Sequence, residues 1–161
     1  MPHRYATPLP LTSRELIDAT ALFILRLGLI WFIFLWAAHK IITPAQYQSL
    51  ARNIDQVDLS LIQVTLIGGV QIAICLLALI GIFRFASYGL LALMHLFTVS
   101  RRFERFFDPF AVNDRGFPIN RNMVDELAVL GAFIALILLI PRDHFSLGGW
   151  LNRRYDAAWW R

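Results

Sequence analysis

The chain of 161 residues is 58% hydrophobic, 14% aromatic and only 16% charged, with a formal net charge of +4. A soluble domain carries about 25% charged residues, and a core of this size cannot hide so much apolar surface. A disordered chain, a secreted disulfide scaffold and an ordinary cytosolic enzyme are excluded, and lipid becomes the expected solvent.

The first 20 residues hold three prolines, Glu15 and Asp18, and do not read as a signal peptide. Thr12-Ser-Arg-Glu15 fits a capping box, which predicts a helix from near Ser13 running into the bilayer. About 20 apolar residues span the hydrocarbon core, and four stretches meet or approach that length: 20–39, 59–83, 85–100 and 124–140. Thr43-Pro44 looks like a cap followed by an N1 proline, starting a short helix through Asn53 outside the membrane. The second and third spans are separated only around Gly81–Ser87, so they form a tight hairpin; the third is short and needs tilt or thinning. Asn122-Met-Val-Asp125 offers a cap to the fourth, and Pro141 closes it. Gly69-x-x-x-Ala73, Ala128-x-x-x-Ala132 and Gly131-x-x-x-Ala135 provide small residues for close helix approach.

The expected fold is therefore all-α: a polytopic membrane protein forming a left-handed, four-helix antiparallel bundle. It is a single membrane domain over 1–161, with an interfacial loop at 101–121 and a C-terminal tail at 142–161. An even number of spans puts both termini on one side. Lysine and arginine divide seven to seven between the two faces, with Arg26 inside, so the positive-inside rule does not decide orientation. Termini in the cytoplasm is the default.

Ionisable groups inside a span need a partner or a cavity. Arg26 lies about three residues from the centre of the first span, and Gln71 is near the midpoint of the second. At 1.5 Å per residue their depths differ by roughly 5 Å. Either the two form a register-fixing hydrogen bond, or Arg26 meets an anion, a quinone carbonyl or a partner subunit. A second group gathers at the loop-side end: His39, Lys40, Gln63, His95, Asp125 and Glu126. A Lys40–Glu126 or His95–Glu126 pair is expected there, against the plainer reading of a snorkelling lysine and a dipole-serving glutamate. His95, about five residues before the span ends, needs a hydrogen-bond partner.

Cys75 is the only cysteine, which excludes dithiol exchange within the chain and suits a small buried hydrophobe. His39 and His95 share a face, but no haem motif accompanies them and haem is not expected. His3 and His144 lie on the opposite face, so a four-histidine metal site is excluded. The run Arg101-Arg-Phe-Glu-Arg-Phe-Phe-Asp-Pro-Phe110 and the tail with Trp159-Trp160 read as interfacial segments, aromatics at the acyl boundary and guanidinium groups at phosphates, rather than as nucleic-acid sites. No phosphate loop, HExxH or nucleophile elbow occurs.

Leu25-Arg-Leu-Gly-Leu29 followed by Phe34-Leu-Trp-Ala-Ala-His-Lys40 and Pro44 resembles the first span of the DoxX-like membrane protein family. The Gly-rich second span, the tight turn, the third span with His95, the fourth from Asp125-Glu and the Phe145-Ser-Leu147 element extend the likeness over roughly residues 20–150. Gly148 stands where many members have an aspartate. The resemblance implies a four-helix protein of the bacterial inner membrane. Some relatives are subunits of a thiosulfate:quinone oxidoreductase, and others associate with soluble redox enzymes. Carried over, the positions at stake are Arg26, Lys40, His95 and Glu126. The expected function is a redox-associated membrane subunit contacting quinone or an electron-transfer partner, with no cofactor motif of its own. The competing expectation is a noncatalytic structural subunit that joins other proteins through its aromatic loop and tail.

Overall fold

The computed structural model describes residues 11–114, 116–118, 120 and 122–154, with only the backbone described for 122–124 and 152–154. The described chain is all helices and connecting turns, with an isolated bridge between Val112 and Pro118. Six α-helices follow in order: α1 Ser13–Ile42, α2 Pro44–Ile54, α3 Leu61–Ile80, α4 Arg84–Ser100, α5 Asn122–Leu138 and α6 Leu147–Arg154. Short 3-10 turns occupy Phe103–Phe107 and Ile140–Arg142. Two helices, α1 and α3, are long and apolar enough to cross a membrane.

Local chemistry explains the boundaries. The capping box at Thr12 and Glu15 is present, and Ser60 with Gln63 forms a second one that starts α3. Gln63 is thus a cap and not part of a polar site. Gly81, at φ +75°, ends α3 in the left-handed conformation that glycine adopts freely. Pro44 does open α2, but Thr43 makes no side-chain cap; its hydroxyl donates back to the His39 carbonyl. The cap expected from Asn122 falls on a side chain outside the described residues, as does the Trp159-Trp160 pair. The 101–121 loop holds a 3-10 turn and the Val112–Pro118 bridge.

Each long helix buries one seam. In α3 it is Val64, Gly68, Gln71, Cys75 and Ala78, alternating four and three residues apart. α1 buries Ala19, Leu22, Arg26, Leu29, Ile30, Ile33, Ala37 and Lys40, and its stretch from Arg26 to Lys40 runs along α3. The helices neighbour one another in the ring α1–α3–α4–α5–α1, and α2 packs across α1 and α3. The shared core comprises Leu22, Leu29, Ile30, Ile33, Cys75, Ala78, Tyr88, Leu91, Ala92, Phe133 and Leu136. Outward faces stay apolar: Trp31, Phe85, Leu93, Phe97, Ile134 and Leu138 are all exposed. Contiguous apolar exposure on this scale marks a lipid or protein interface.

Small-residue contact falls one position from where the sequence pattern puts it. A Cβ on Gly69 or Gly131 would meet nothing within 4 Å. Gly68 is the tight one, its Cβ position lying 2.8 Å from Lys40 Cβ and 3.0 Å from the Ala37 carbonyl. Together with Gly81, whose Cβ position lies 2.9 Å from an Arg26 guanidinium nitrogen, this sets the antiparallel register of α1 and α3. About 13 residues of α1, roughly 20 Å, therefore project past the α3–α4 turn.

Candidate functional site

That register moves Arg26 from the middle of the bundle to its end. The Arg26–Gln71 pairing expected from sequence does not form, because Gln71 bonds Lys40, 14 residues along α1 from Arg26. Arg26 instead pairs with Asp143 at 3.0 Å, both side chains at most 2% exposed. The same nitrogen donates to Tyr88 Oη at 3.3 Å, and the other terminal nitrogen donates to the Phe145 carbonyl. Tyr88 donates to Asp143 at 2.9 Å, while Arg84 donates to the Ile140 and Asp143 carbonyls. Ser146 then caps the amide of Gly149, and the Gly148 amide reaches the Gly81 carbonyl. Residues 140–149 are thereby stitched onto the α3–α4 turn and the flank of α1. Arg26 Nε and Arg84 Nε aside, the buried side-chain polar atoms of this cluster bond within the protein, and it acts as a structural lock.

The opposite end of the bundle differs. Lys40 is 6% exposed, yet Nζ donates only to Gln71 Oε1 at 2.9 Å and to the Trp36 carbonyl at 3.2 Å. Its ammonium lies 4.4 Å from the centroid of the Tyr47 ring on α2, a cation–π contact. No carboxylate lies within 4.0 Å of Lys40 among the described residues. The expected Lys40–Glu126 pair is therefore absent. Glu126 bonds Arg102 at 3.2 Å, and Arg102 also pairs with Asp55 just beyond α2. His95 does reach Glu126, but through the backbone: Nε2 lies 2.8 Å from the Glu126 carbonyl oxygen. A carbonyl only accepts, so Nε2 carries the proton.

Between these groups lies a chamber of about 60 Å³, lined by Phe32, Ile33, Trp36, Lys40, Tyr47, Leu50, Gln71, Met94, His95, Thr98, Arg102 and Glu126. At about 10–15 Å³ per water, that is room for four to six water-sized groups. Lys40, His95, Glu126 and Gln71 all face this one chamber, whereas Arg26 does not. His39 lies outside it, its ring against Trp36 and Tyr47. Asp125 is exposed on the surface.

Sequence reasoning missed Tyr47, Arg102 and Asp55. Tyr47 lies on α2 and Asp55 just beyond it, a stretch expected only as a short helix outside the membrane, and Arg102 falls in the segment read as interfacial. The α2 helix roofs the chamber and is held at its C-terminal end by three arginines. Arg102 pairs with the Asp55 carboxylate, Arg101 donates to the Asp55 carbonyl at 2.9 Å and Arg105 to the Ile54 carbonyl at 3.3 Å. Cations at a helix C-terminus also oppose its dipole favourably. Burial works against the Arg102 charge, but Asp55 and Glu126 outweigh it and hold its pKa above the ordinary value.

A second hollow of about 630 Å³ runs along the outer side of α1 and α3, lined by Ile24, Leu27, Gly28, Ile30, Trp31, Phe34, Cys75, Leu76 and Leu79. It contains no charged side chain. Comparison of the chain with protein-family models, curated proteins and solved structures finds no match.

Proposed function

We propose that the chain is a four-span protein of the bacterial inner membrane, DoxX-like in organisation, whose loop-side chamber serves quinone-linked redox chemistry with a partner protein. Support for the two shorter spans is the length and surface of α4 and α5. Each has 17 residues, about 25 Å of helix, at the lower limit for crossing. Their outward faces carry Phe85, Leu93 and Phe97, and Leu127, Ile134 and Leu138. The apolar hollow along α1 and α3 suits a lipid or isoprenoid chain.

The observation that carries the functional reading is Lys40: a buried ammonium without a carboxylate, turned into a chamber that also holds His95 and Glu126. A cation kept there costs several kcal/mol unless it answers a ligand or a preorganised polar wall. A quinone oxygen is such a ligand. The chain would act as the membrane subunit of an oxidoreductase, its termini on the cytoplasmic side.

A second reading rests on a separate observation. Phe107 and Phe110 are 79% and 88% exposed beside Arg101 and Arg105, a surface that fits a noncatalytic subunit docked on other proteins. Purification in mild detergent separates the two. Retained quinone together with quinone-dependent dye reduction supports the redox reading. Stoichiometric co-purification with other subunits, without quinone, supports the structural one.

A further inference from the structure

The chamber's charges are divided between its walls. On the α1–α3 wall stands Lys40, its ammonium left with one hydrogen after those given to Gln71 and the Trp36 carbonyl. On the α4–α5 wall, Glu126 gives Oε1 to Arg102, which also pairs with Asp55. Glu126 Oε2 is buried there without a hydrogen-bond partner among the described residues. Arg101, Arg105, His95 and Tyr47 are the other ionisable groups near these carboxylates. His95 spends Nε2 on the Glu126 carbonyl.

A cation placed in this space meets Lys40, and an anion meets the unbonded Oε2 of Glu126. A neutral ligand whose oxygen both accepts and donates satisfies both walls. A hydroxyl does this and a ketone does not, because a ketone oxygen beside Glu126 Oε2 sets acceptor against acceptor. The volume, four to six water-sized groups, suits a hydroxyl and the ring edge that bears it.

We propose that the chamber selects the reduced, hydroxyl-bearing form of a ring ligand, its oxygen accepting from Lys40 and its proton donated to Glu126. This rests on reading the chamber as a quinone-type site and names the redox form it holds. Glu126 is then the specificity-determining residue and Lys40 the affinity-determining one.

The test uses calorimetric titration of the full chain in detergent micelles, under anaerobic conditions, with hydroquinone, 4-methoxyphenol, 1,4-dimethoxybenzene and benzoquinone. A hydrogen bond to a charged group is worth about tenfold to a hundredfold in affinity. Hydroquinone and 4-methoxyphenol should therefore bind at least about tenfold tighter than the two probes that cannot donate. Glu126→Gln supplies an amide donor in place of the carboxylate, so the preference for hydroquinone over benzoquinone should vanish or reverse while binding persists. Lys40→Met should weaken all four probes. Equal binding of donors and non-donors by the unmodified chain overturns the selectivity and leaves the quinone reading standing. No binding of any probe overturns the quinone reading, and the selectivity with it. The comparison of probes on the unmodified chain does not depend on any variant folding.

Discussion

Arg26 and Asp143 are 117 residues apart in sequence and 3.0 Å apart in space, each side chain almost wholly buried. Their pairing fastens the segment after α5 to the flank of α1, beside the turn that joins α3 to α4. Tyr88 completes the arrangement by donating to the same carboxylate.

Removing one partner from a buried pair costs about 3–5 kcal/mol, because the other charge is left uncompensated. Asp143→Asn should lower unfolding stability by that order in detergent micelles. Arg26→Leu should do the same by stranding Asp143, although it removes a cation from an apolar helix. The double variant Arg26→Leu/Asp143→Leu should recover most of the loss. A single-variant loss below about 1 kcal/mol, the value of an exposed pair, would show that water reaches the site.

Gly68 and Gly69 make a paired test of the α1–α3 register. Alanine at 68 meets Lys40 Cβ, the Ala37 carbonyl and Ile41 at 2.8–3.0 Å, so the helices must separate. Overpacking of this kind costs about 1–3 kcal/mol, and it should also lengthen the Lys40–Gln71 bond that shapes the chamber. Alanine at 69 meets nothing within 4 Å and gains up to about 1 kcal/mol of helix propensity. Thermal unfolding of the two variants should move in opposite directions. Equal shifts would mean the register is set elsewhere.

These residues also show what the sequence could reveal. The cap at Thr12, the proline start at Pro44, the Gly81 break and the four apolar segments follow local rules, and they appear within a few residues of the expected places. The loop-side grouping of Lys40, His95 and Glu126 followed from antiparallel alternation alone. Partner choice did not. It depends on the offset between α1 and α3, which Gly68 sets through one steric contact, and a small-xxx-small pattern leaves that contact ambiguous between neighbouring glycines. With α1 taken as centred on the bundle, Arg26 looked deep and Gln71 looked near. In fact α1 overhangs the hairpin, which brings Arg26 to the returning tail, where Asp143 follows Pro141. An arginine in need of a carboxylate, and an aspartate two residues past Pro141 at the end to which an even number of helices returns, were the available signals.

Tyr47 gives a pH prediction outside the long helices. Burial, then the charge of Asp55, raise its phenol pKa above the ordinary 10.0, with Arg102 opposing. A raised pKa in the folded state means the neutral phenol is favoured there. The linked stability is fully present below pH 10 and is lost as pH rises through the folded value. The difference in phenolate absorbance between the unmodified chain and Tyr47→Phe should appear only above pH 10. It should move toward the ordinary value in Asp55→Asn, which removes the negative neighbour. A Tyr47 contribution titrating at or below pH 10 would mean that α2 does not cover the ring in solution.

The four-span reading makes a topological prediction about three surface positions. Ser49 on α2 and Asp114 in the loop between α4 and α5 are both exposed at the chamber end, and Ser13 is exposed at the far end of α1. Single cysteines at these sites, in a Cys75→Ala background, can be challenged with a thiol reagent that does not cross membranes. Cys75 is 1% exposed and packs in the core, so its truncation to alanine leaves the surface untouched. If α1, α3, α4 and α5 all cross, positions 49 and 114 label from one side of intact vesicles and position 13 from the other. If only α1 and α3 cross while α4 and α5 lie along a surface, position 114 no longer has to follow position 49. The α3–α4 hairpin then leaves it with position 13. The labelling of position 114 thus decides between two spans and four, and the side on which position 13 labels fixes the orientation that the evenly divided lysines and arginines leave open.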